Sequence, residues 1–396
     1  MLRMNSIASL VCLSLIVGCT SEDAPPAVAQ AATANSQSSA QYFAQGETTD
    51  FAFESDGVRL SGMLDVPQQG ETKALILLVH SYGGTNVRDP RAYSAYTSMR
   101  ERFNEIGIAT AIWDKAGQGQ SEGSFDINQP VAESAQEVLD ALDHLRAMNA
   151  PGSGTIGLWG GSRAGWIAPI AMSQDRDIDF WISISGTSLE DNFTYLLLSN
   201  LPYEGGTPEL AAQYASEWRA GCEILRTGGS YKRYQEATEA LRANEYIREM
   251  RGDWPSRLTY LAYQARCKDG VCASYDTDMC SYIPVANFDQ MLSSLDVDVL
   301  AIFGAKDLNV DWRKTRALYE TTIGQNPNAT LTVEVFDDAD HTLSVAETGS
   351  MREMQSRTSA RKSDGYYETQ LKWLQKIIAE SNNKTSELAN TTSDLK

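Results

Sequence analysis

Short apolar stretches alternate with longer amphipathic ones from about residue 51 onward. This alternation is typical of strands and helices that follow one another in a mostly parallel sheet. Residues 74–79 (ALILLV) are continuously apolar, as expected for a strand covered on both faces. Residues 130–148 carry apolar side chains at helical spacing and predict a long amphipathic helix. The pattern therefore predicts an α/β fold with a buried central sheet.

Shorter apolar runs predict the other elements of the sheet. Residues 51–54 and 58–66 predict a strand pair joined by a turn at Asp56-Gly57. Further strands are expected at residues 110–113, 155–159, 180–185, 297–303 and 331–336, and further helices from residue 162, up to about residue 323, and at about 366–379.

The alternation stops in the middle of the chain, where helical patterning continues without an obvious buried strand. We expect a core in two parts, residues 46–186 and 292–381, with a helical cap insertion at 187–291. Such an insert is expected over the carboxyl ends of the strands, where open α/β sheets bind ligands. The alternative is a segment that only packs beside the core. Four aromatic residues of the insert either line a pocket or form its own small core: Trp254, Tyr260, Tyr263 and Tyr282.

The N-terminal segment differs from the rest of the chain. Arg3 precedes the apolar run 7–17, which is shorter than the roughly 20 residues of a membrane-spanning helix. This arrangement is typical of a secretion signal. Residues 16–19 (IVGC) resemble the lipobox of bacterial lipoproteins, in which a cysteine, here Cys19, is lipidated after cleavage. The alternative is an ordinary signal peptide with an unrelated cysteine.

The lipobox resemblance implies that residues 1–18 are removed and that the mature chain is lipid-anchored to the bacterial cell envelope. Thr20, in place of an aspartate, favours the outer membrane, with the protein facing the periplasm or the outside. Residues 19–45 are small and polar and predict a flexible tether. Residues 382–396 are expected to form a disordered tail.

Charge and cysteine content narrow the possible partners. The formal net charge is −19, so phosphate backbones should repel the protein and nucleic-acid binding is not expected. The four cysteines of the middle segment suggest two disulfides in an oxidising compartment, with their connectivity left open. A zinc site is the alternative, although the spacing contains no C-x-x-C pair. These cysteines are Cys222, Cys267, Cys272 and Cys280.

Ser162 is the candidate nucleophile. It lies in residues 158–165 (LWGGSRAG), directly after a predicted strand and at the start of a predicted helix. A nucleophilic serine on a sharp strand-to-helix turn requires small residues two positions before it and two after it. Gly160 and Ala164 meet this requirement, so the sequence has the pattern G-x-S-x-A.

The chain contains three histidines, so the base that such a serine needs can be sought by elimination. His144 lies opposite the apolar face of the 130–148 helix and is expected to point to solvent. His80 ends the 74–79 strand. His341 follows the last predicted strand, in a loop, which is where a catalytic base is expected. His341 is therefore the candidate base.

A histidine that acts as a base needs a carboxylate to hold its tautomer and stabilise its charge. Asp307 follows the 297–303 strand and is the candidate for this role. Asp311 is close enough in sequence to be a rival. Asp340 precedes His341 directly, and because adjacent side chains usually point apart, it is a poor candidate.

The serine, the aspartate and the histidine occur in the chain order of α/β-hydrolases. Residues 114–121 (DKAGQGQS) resemble the D-x-x-G-x-G-x-S turn of that family, and residues 162–169 resemble the elbow helix of its bacterial esterases. From about residue 51 to 379 the chain thus resembles bacterial serine esterases and the catalytic domains of prolyl oligopeptidase-like enzymes. The resemblance implies the α/β-hydrolase fold, with a mostly parallel sheet flanked by helices.

Residues 80–84 (HSYGG) resemble the oxyanion loop of the same family, usually His-Gly-x-Gly, with Ser81 in place of glycine. The resemblance implies that the backbone amides of Tyr82 and Arg163 bind the developing oxyanion. The alternative is a plain glycine-rich exit from the strand.

The resemblance also implies a serine hydrolase that cleaves a small-molecule ester through an acyl-enzyme, without a metal or an organic cofactor. Peptidase action, thioester hydrolysis and acyl transfer on the same triad are alternatives. A non-catalytic binding protein with a hydrolase fold is the alternative from another class. The sequence leaves the oligomeric state open.

Overall fold

The computed structural model describes residues 46–89, 94–127, 129–188, 192–251, 253–265, 267–268, 271–272 and 285–393. The predicted signal peptide, Cys19 and the tether lie outside these residues. The strands are β1 Thr48–Ser55, β2 Val58–Asp65, β3 Ala74–Val79, β4 Ile108–Trp113, β5 Ile156–Gly161, β6 Phe180–Ile184, β7 Cys267–Lys268, β8 Val271–Cys272, β9 Asp298–Gly304 and β10 Thr330–Phe336.

The helices enclose this sheet and build the middle segment. They are α1 Ser94–Glu105, α2 Val131–Ala147, α3 Ala164–Gln174, α4 Asn192–Asn200, α5 Pro208–Arg226, α6 Tyr231–Ala237, α7 Glu239–Ala243, α8 Glu245–Arg251, α9 Arg257–Gln264, α10 Phe288–Ser293, α11 Trp312–Thr321, α12 Met351–Ser356 and α13 Tyr366–Ser393. Short 3₁₀ turns follow α4 and α11.

One eight-stranded sheet forms the centre, in the order β1-β2-β4-β3-β5-β6-β9-β10. The six strands from β4 to β10 in this order are parallel, and β1 and β2 add antiparallel strands at one edge. β1 and β2 are joined at Asp56 and Gly57, which both have positive φ (48° and 72°), as a tight hairpin turn requires. The predicted α/β-hydrolase fold is confirmed.

The sheet is buried on both faces, which explains its continuously apolar strands. Alternate residues of β3 point to opposite sides, so that Leu75 and Leu77 join one hydrophobic cluster, whereas Ile76 and Leu78 join the other. The first cluster is covered by α2, α3, α10 and α11, and the second by α1 and α13. Because all six parallel strands run the same way, their carboxyl ends lie along one edge of the sheet.

The middle segment forms a separate hydrophobic cluster built from α4 to α9, closed by side chains of α12. Tyr260 is fully buried in this cluster, and Trp254 and Tyr263 pack against it. These three aromatic residues therefore belong to the cap's own core, whereas Tyr282 lies outside the described residues. The segment also contains the short antiparallel pair β7–β8, which its helical patterning did not predict.

Two predicted boundaries differ from the structure. Val285 and Phe288 already pack in the core cluster under α3, so the core resumes before residue 292. Helix α13 continues to Ser393, although we expected a disordered tail from residue 382. The sequence beyond residue 381 contains neither proline, which would remove a helix hydrogen bond, nor glycine, which has a low helix propensity.

The cap is tied to the loop that follows β9. The Tyr195 hydroxyl of α4 donates to the carbonyl oxygen of Asp307 (2.8 Å). The amide of Asn200 donates to the carbonyl of Leu308 (2.9 Å) and accepts the N–H of Met351 (2.8 Å), at the start of α12. The cap therefore supports loops at the carboxyl edge of the sheet instead of only packing beside it.

Two of the four cysteines of the middle segment have side chains within the described residues. Cys222 and Cys267 each take part in a disulfide. Cys280 and the side chain of Cys272 lie outside the described part, so the connectivity and the number of disulfides stay a prediction. Within the described residues, no helix combines the length and apolar character that crossing a membrane requires.

Candidate active site

Ser162 occupies a strained turn between β5 and α3. Its φ is 54°, in the left-handed region that side chains other than glycine rarely adopt. The Ser162 N–H donates to the carbonyl of Ile184 (2.9 Å), and its carbonyl accepts the N–H of Gly165 (2.8 Å). These bonds hold a conformation that costs on the order of 1–3 kcal/mol, and such strain is concentrated at functional sites.

Close packing explains why this turn needs small residues. A Cβ atom added to Gly160 would lie 2.5 Å from the Cβ of Ala164 and 3.1 Å from the carbonyl oxygen of Val79. The first distance is well inside van der Waals contact. A larger side chain at Gly160 would therefore push the turn out of shape, as the sequence pattern around the serine predicts.

Asp307 and His341 form a hydrogen-bonded pair at the same edge of the sheet. The Asp307 Oδ2 atom lies 2.8 Å from Nδ1 of His341. The other carboxylate oxygen accepts the N–H groups of Asn309 (2.8 Å) and Val310 (2.9 Å), and the side chain is fully buried. Because a carboxylate can only accept, Nδ1 carries the proton and Nε2 is left as the acceptor of the ring. This is the tautomer that a base beside a serine requires.

Direct contact between two loops brings this pair together. A Cβ on Gly304, at the end of β9, would lie only 2.3 Å from the carbonyl oxygen of Asp340. The N–H of Lys306 donates to the carbonyl of Ala339 (2.9 Å). The loop after β10 therefore lies against the loop after β9, which places His341 beside an acid 34 positions earlier in the chain.

The two rival carboxylates have other partners. Asp311 caps the N-terminus of α11, where its side chain accepts the N–H of Lys314 (3.4 Å). Asp340 forms an ion pair with Arg357 (2.7 Å) and accepts the N–H of Thr342 (2.8 Å). The structure thus brings Asp307 to His341, and Asp340 instead holds the histidine loop in shape.

The environment of His341 changes its basicity. Burial lowers the pKa of the imidazole, but the charge of Asp307 and its hydrogen bond outweigh this effect, with help from Asp340. The pKa of His341 is therefore raised above its ordinary value. A base of this kind holds a proton more firmly once it has taken one from a nucleophile.

Ser162 lies at the same edge, after β5, whereas Asp307 follows β9 and His341 follows β10. The His341 ring is hydrogen-bonded to Asp307. Within the described residues, it forms no hydrogen bond with the Ser162 hydroxyl. Catalytic hydrogen bonds of this type are often long without substrate and close in its complex.

The other histidines have structural surroundings. His144 is half-buried with its ring stacked on Phe51 (6.1 Å between centroids), so it does not simply point to solvent, because β1 packs against α2. His80 is buried edge-on against Trp113 (5.0 Å). Burial and the charge of Lys115 lower the pKa of His80 to about 3, so it stays neutral at physiological pH.

The predicted oxyanion loop follows β3, and β5 with Ser162 is the neighbouring strand on one side. Tyr82 and Arg163 are both buried. The Arg163 guanidinium lies over the Tyr82 ring, with 5.1 Å from Cζ to the centroid. The two residues predicted to supply oxyanion amides therefore touch through their side chains.

Several supporting residues have roles that no local sequence pattern indicates. Lys115 lies in the D-x-x-G-x-G-x-S motif, which does not indicate that its ammonium group donates to the carbonyls of Ser81 and Tyr82. Tyr195 and Arg357 carry no local signal, because their partners are far away in sequence. Within the described residues, no group of three or more histidine, cysteine or acidic side chains could hold a metal ion.

The mostly parallel sheet, the strained serine turn after β5 and the acid–histidine pair after β9 and β10 define an α/β-hydrolase of the serine hydrolase class. Residues 56–342, more than half of the chain, match the sequence model of the X-Pro dipeptidyl-peptidase (S15) family. The chain belongs to this family. Among curated proteins, none is significantly similar to it in sequence.

Solved structures share the fold at low sequence identity. DcsB in complex with its substrate analogue is 16% identical, with a TM-score of 0.51, over 84% of this chain and 99% of DcsB. Est1E from Butyrivibrio proteoclasticus with bound ferulic acid is 18% identical, with a TM-score of 0.45, over 83% and 98% of the two chains. The Pyrococcus furiosus esterase Pf2001 is 14% identical, with a TM-score of 0.46, over 84% and 90%.

Proposed function

We propose that the protein hydrolyses carboxylic esters of small molecules through an acyl-enzyme on Ser162. The hydrogen bond of 2.8 Å between Asp307 and His341 carries this proposal, because it prepares a base at the edge of the sheet where the strained serine lies. A buried carboxylate with two further backbone donors would hold the imidazole in one orientation.

In the proposed reaction, the Ser162 hydroxyl attacks the ester carbonyl while Nε2 of His341 takes its proton. The oxyanion is stabilised by the amides of Tyr82 and Arg163, and the imidazolium by Asp307. His341 then returns the proton to the departing alcohol, which leaves an acyl-enzyme. A water molecule, deprotonated by His341, attacks the acyl group and releases the acid and the free serine.

Peptidase action is the second candidate, and the family match supports it, since that family is described by X-Pro dipeptidyl-peptidases. An amide is the more demanding substrate, because its nitrogen must be protonated before it leaves, whereas an activated alcohol leaves readily. A triad that cleaves amides therefore also cleaves activated esters. Ester turnover is expected under both candidates, and the ratio of the two activities separates them.

A panel of substrates tests the choice between ester and peptide. We expect kcat/KM for p-nitrophenyl acetate and butyrate to exceed that for Ala-Pro-p-nitroanilide by about a hundredfold or more, which corresponds to a difference of about 3 kcal/mol in transition-state stabilisation. Release of p-nitrophenol and p-nitroaniline is followed by absorbance with the same enzyme preparation. A kcat/KM that is higher for the anilide would establish the peptidase in place of the esterase.

We further propose that the protein is exported and anchored by lipid on Cys19, in an envelope compartment that would also favour disulfides among the cap cysteines. Metabolic labelling with palmitate is expected to label the wild-type protein and to leave Cys19→Ala unlabelled, because the thiol is the site of attachment. Cys12→Ala, a matched change within the predicted signal, should keep the label. Label that persists in Cys19→Ala would refute the anchor.

A further inference from the structure

We propose that Lys115 is a positioning residue of the active site, which holds the backbone of residues 81–82 so that amides of the loop face the substrate oxygen. The proposal rests on the hydrolase function proposed above. It concerns a side chain outside the predicted triad, and its support comes from the hydrogen bonds of the loop after β3.

The order of the strands places the loop between two basic side chains. β3 lies between β4 and β5 and is parallel to both, so the segments that follow these strands are neighbours at the carboxyl edge. Lys115 comes from the segment after β4, and Arg163 comes from the turn after β5. Both side chains are buried, with 6% and 1% of their surface exposed.

Lys115 binds the loop through both its side chain and its backbone. Its ammonium group donates to the carbonyl oxygen of Ser81 and, at 2.8 Å, to that of Tyr82. Its own N–H donates to the hydroxyl of Thr85 (2.6 Å). Three bonds from one residue thus hold the loop at positions 81, 82 and 85.

The planarity of the peptide bond links these carbonyls to the amides. In a trans peptide the C=O of one residue and the N–H of the next point in opposite directions within one rigid plane. When the Ser81 carbonyl points to the ammonium group, the N–H of Tyr82 points away from it. The same holds for the Tyr82 carbonyl and the N–H of Gly83. Lys115 therefore sets the direction of two consecutive amides, Tyr82 being the predicted donor.

Arg163 supports the loop from the other side. Its guanidinium donates to the hydroxyl of Ser134 (3.1 Å) and to the carbonyl of Gln129, and it lies over the Tyr82 ring. Glu137 stands near both cations and accepts a hydrogen bond from the Gln129 amide (2.6 Å). Burying two cations beneath a loop is costly unless each forms good hydrogen bonds. Both cations form them here, and we infer that the pair supports the loop.

The ammonium group also contributes an electrostatic effect. The ammonium group donates to two carbonyls of the loop, so its positive charge lies beside the predicted oxyanion amides, and this charge adds to burial in lowering the pKa of His80. A preorganised positive potential stabilises an oxyanion without reorganisation during the reaction. Lys115 is therefore expected to favour the transition state more than the bound substrate.

Lys115→Met tests the proposal, with Lys115→Gln as a smaller change that keeps one donor and removes the charge. For p-nitrophenyl acetate we expect kcat to fall roughly 10- to 100-fold in Lys115→Met, which is less than the roughly 10²–10³-fold cost of losing an oxyanion donor, and by about fivefold or more in Lys115→Gln. KM should change less than about threefold, because the ground state does not use the oriented amides. The affinity for a trifluoromethyl ketone, which forms a tetrahedral oxyanion on the serine, should fall in parallel with kcat.

Lys73→Met is the matched control, because the Lys73 ammonium also donates to a backbone carbonyl, that of Ile106 (3.2 Å), but at the opposite edge of the sheet. It should keep the wild-type kcat. Circular dichroism and thermal unfolding show which variants are folded, and Lys115→Gln decides the question if Lys115→Met does not fold.

A folded Lys115→Met or Lys115→Gln enzyme would overturn the proposal if its kcat and its affinity for the ketone stayed within about threefold of wild type. Loss of both variants as folded proteins would overturn it as well, because Lys115 would then be required for folding itself. A wild-type protein without ester or amide turnover would instead contradict the proposed hydrolase function.

Discussion

Ser162→Ala is expected to lower kcat for p-nitrophenyl acetate by about 10⁴-fold or more and to abolish labelling by a fluorophosphonate probe. Under the proposed function the substitution removes the atom that forms the acyl-enzyme, and the predicted oxyanion amides alone would provide a small residual rate. Ser162 already has a positive φ, and alanine adds no atoms at this turn, so we expect the variant to keep the fold. Ester turnover and gel fluorescence after labelling measure the two effects.

Ser173→Ala is the matched control for this substitution. Ser173 lies on α3, the helix that begins at the elbow, and its hydroxyl donates to the carbonyl of Ile170 (2.7 Å) within the helix. We expect full labelling and wild-type kcat in this variant. A Ser162→Ala protein that still took up the probe or kept its turnover would exclude Ser162 as the nucleophile, and a wild type that took up no probe would favour a binding protein with a hydrolase fold.

Asp307→Asn is expected to lower kcat by about 10⁴-fold with little change in the fold. The asparagine amide can donate to Nδ1 of His341, which moves the ring proton to Nε2 and removes the acceptor that Ser162 needs. The two backbone N–H groups that bind the other oxygen can still bind an amide oxygen. Steady-state kinetics and thermal unfolding of the folded variant measure the effect.

The same variant makes a prediction about pH. The protonated His341 cannot act as a base, so wild-type activity is lost as the pH falls through its raised pKa. In Asp307→Asn, the loss of the negative charge and hydrogen bond removes what stabilises the imidazolium, so the acidic limb of the residual activity should move to lower pH. Asp311→Asn should keep both the rate and the limb. An unshifted limb in Asp307→Asn would show that Asp307 does not set the pKa of the base.

The cap takes part in holding this pair, in addition to covering the sheet. Tyr195 and Asn200 donate hydrogen bonds to backbone carbonyls of the loop that carries Asp307. The side chain of Asn200 also accepts the N–H of Met351, at the start of α12. Met351 packs in the hydrophobic cluster of the cap. The position of the acid is therefore coupled to the packing of the cap, so exchanging cap sequences between relatives should disturb catalysis as well as specificity.

Much of the sheet could be predicted because buried parallel strands are apolar on both faces. β3 was predicted at its observed bounds, and the predicted strands at 180–185 and 331–336 differ from β6 and β10 by one residue at one end. The candidate residues followed from the same regularity, since catalytic groups occupy the carboxyl ends of such strands. Asp307 was preferred to Asp340 because neighbouring side chains point apart, and the structure pairs Asp307 with His341.

Long-range contacts were beyond prediction. Lys115 and Arg163 approach the same loop from two different strands, and no local pattern indicates that their partners are the backbone at residues 81–82 and the ring of Tyr82. The sequence around Asp340 does not indicate its ion pair with Arg357, which lies 17 positions away. The end of the cap was misplaced because the apolar residues of α10 fit either a cap or a core.

The sequence by itself determined the class of fold, the turn that holds Ser162 and the identity of the candidate acid and base. These features depend on local spacing and on the alternation of strands and helices, and both are properties of the chain read in order. Only the tertiary structure established the contact between Asp307 and His341, the attachment of the cap and the side chains that bind the predicted oxyanion loop. Those contacts join residues distant in sequence, and their geometry depends on which strands are neighbours in the sheet and how closely their loops pack.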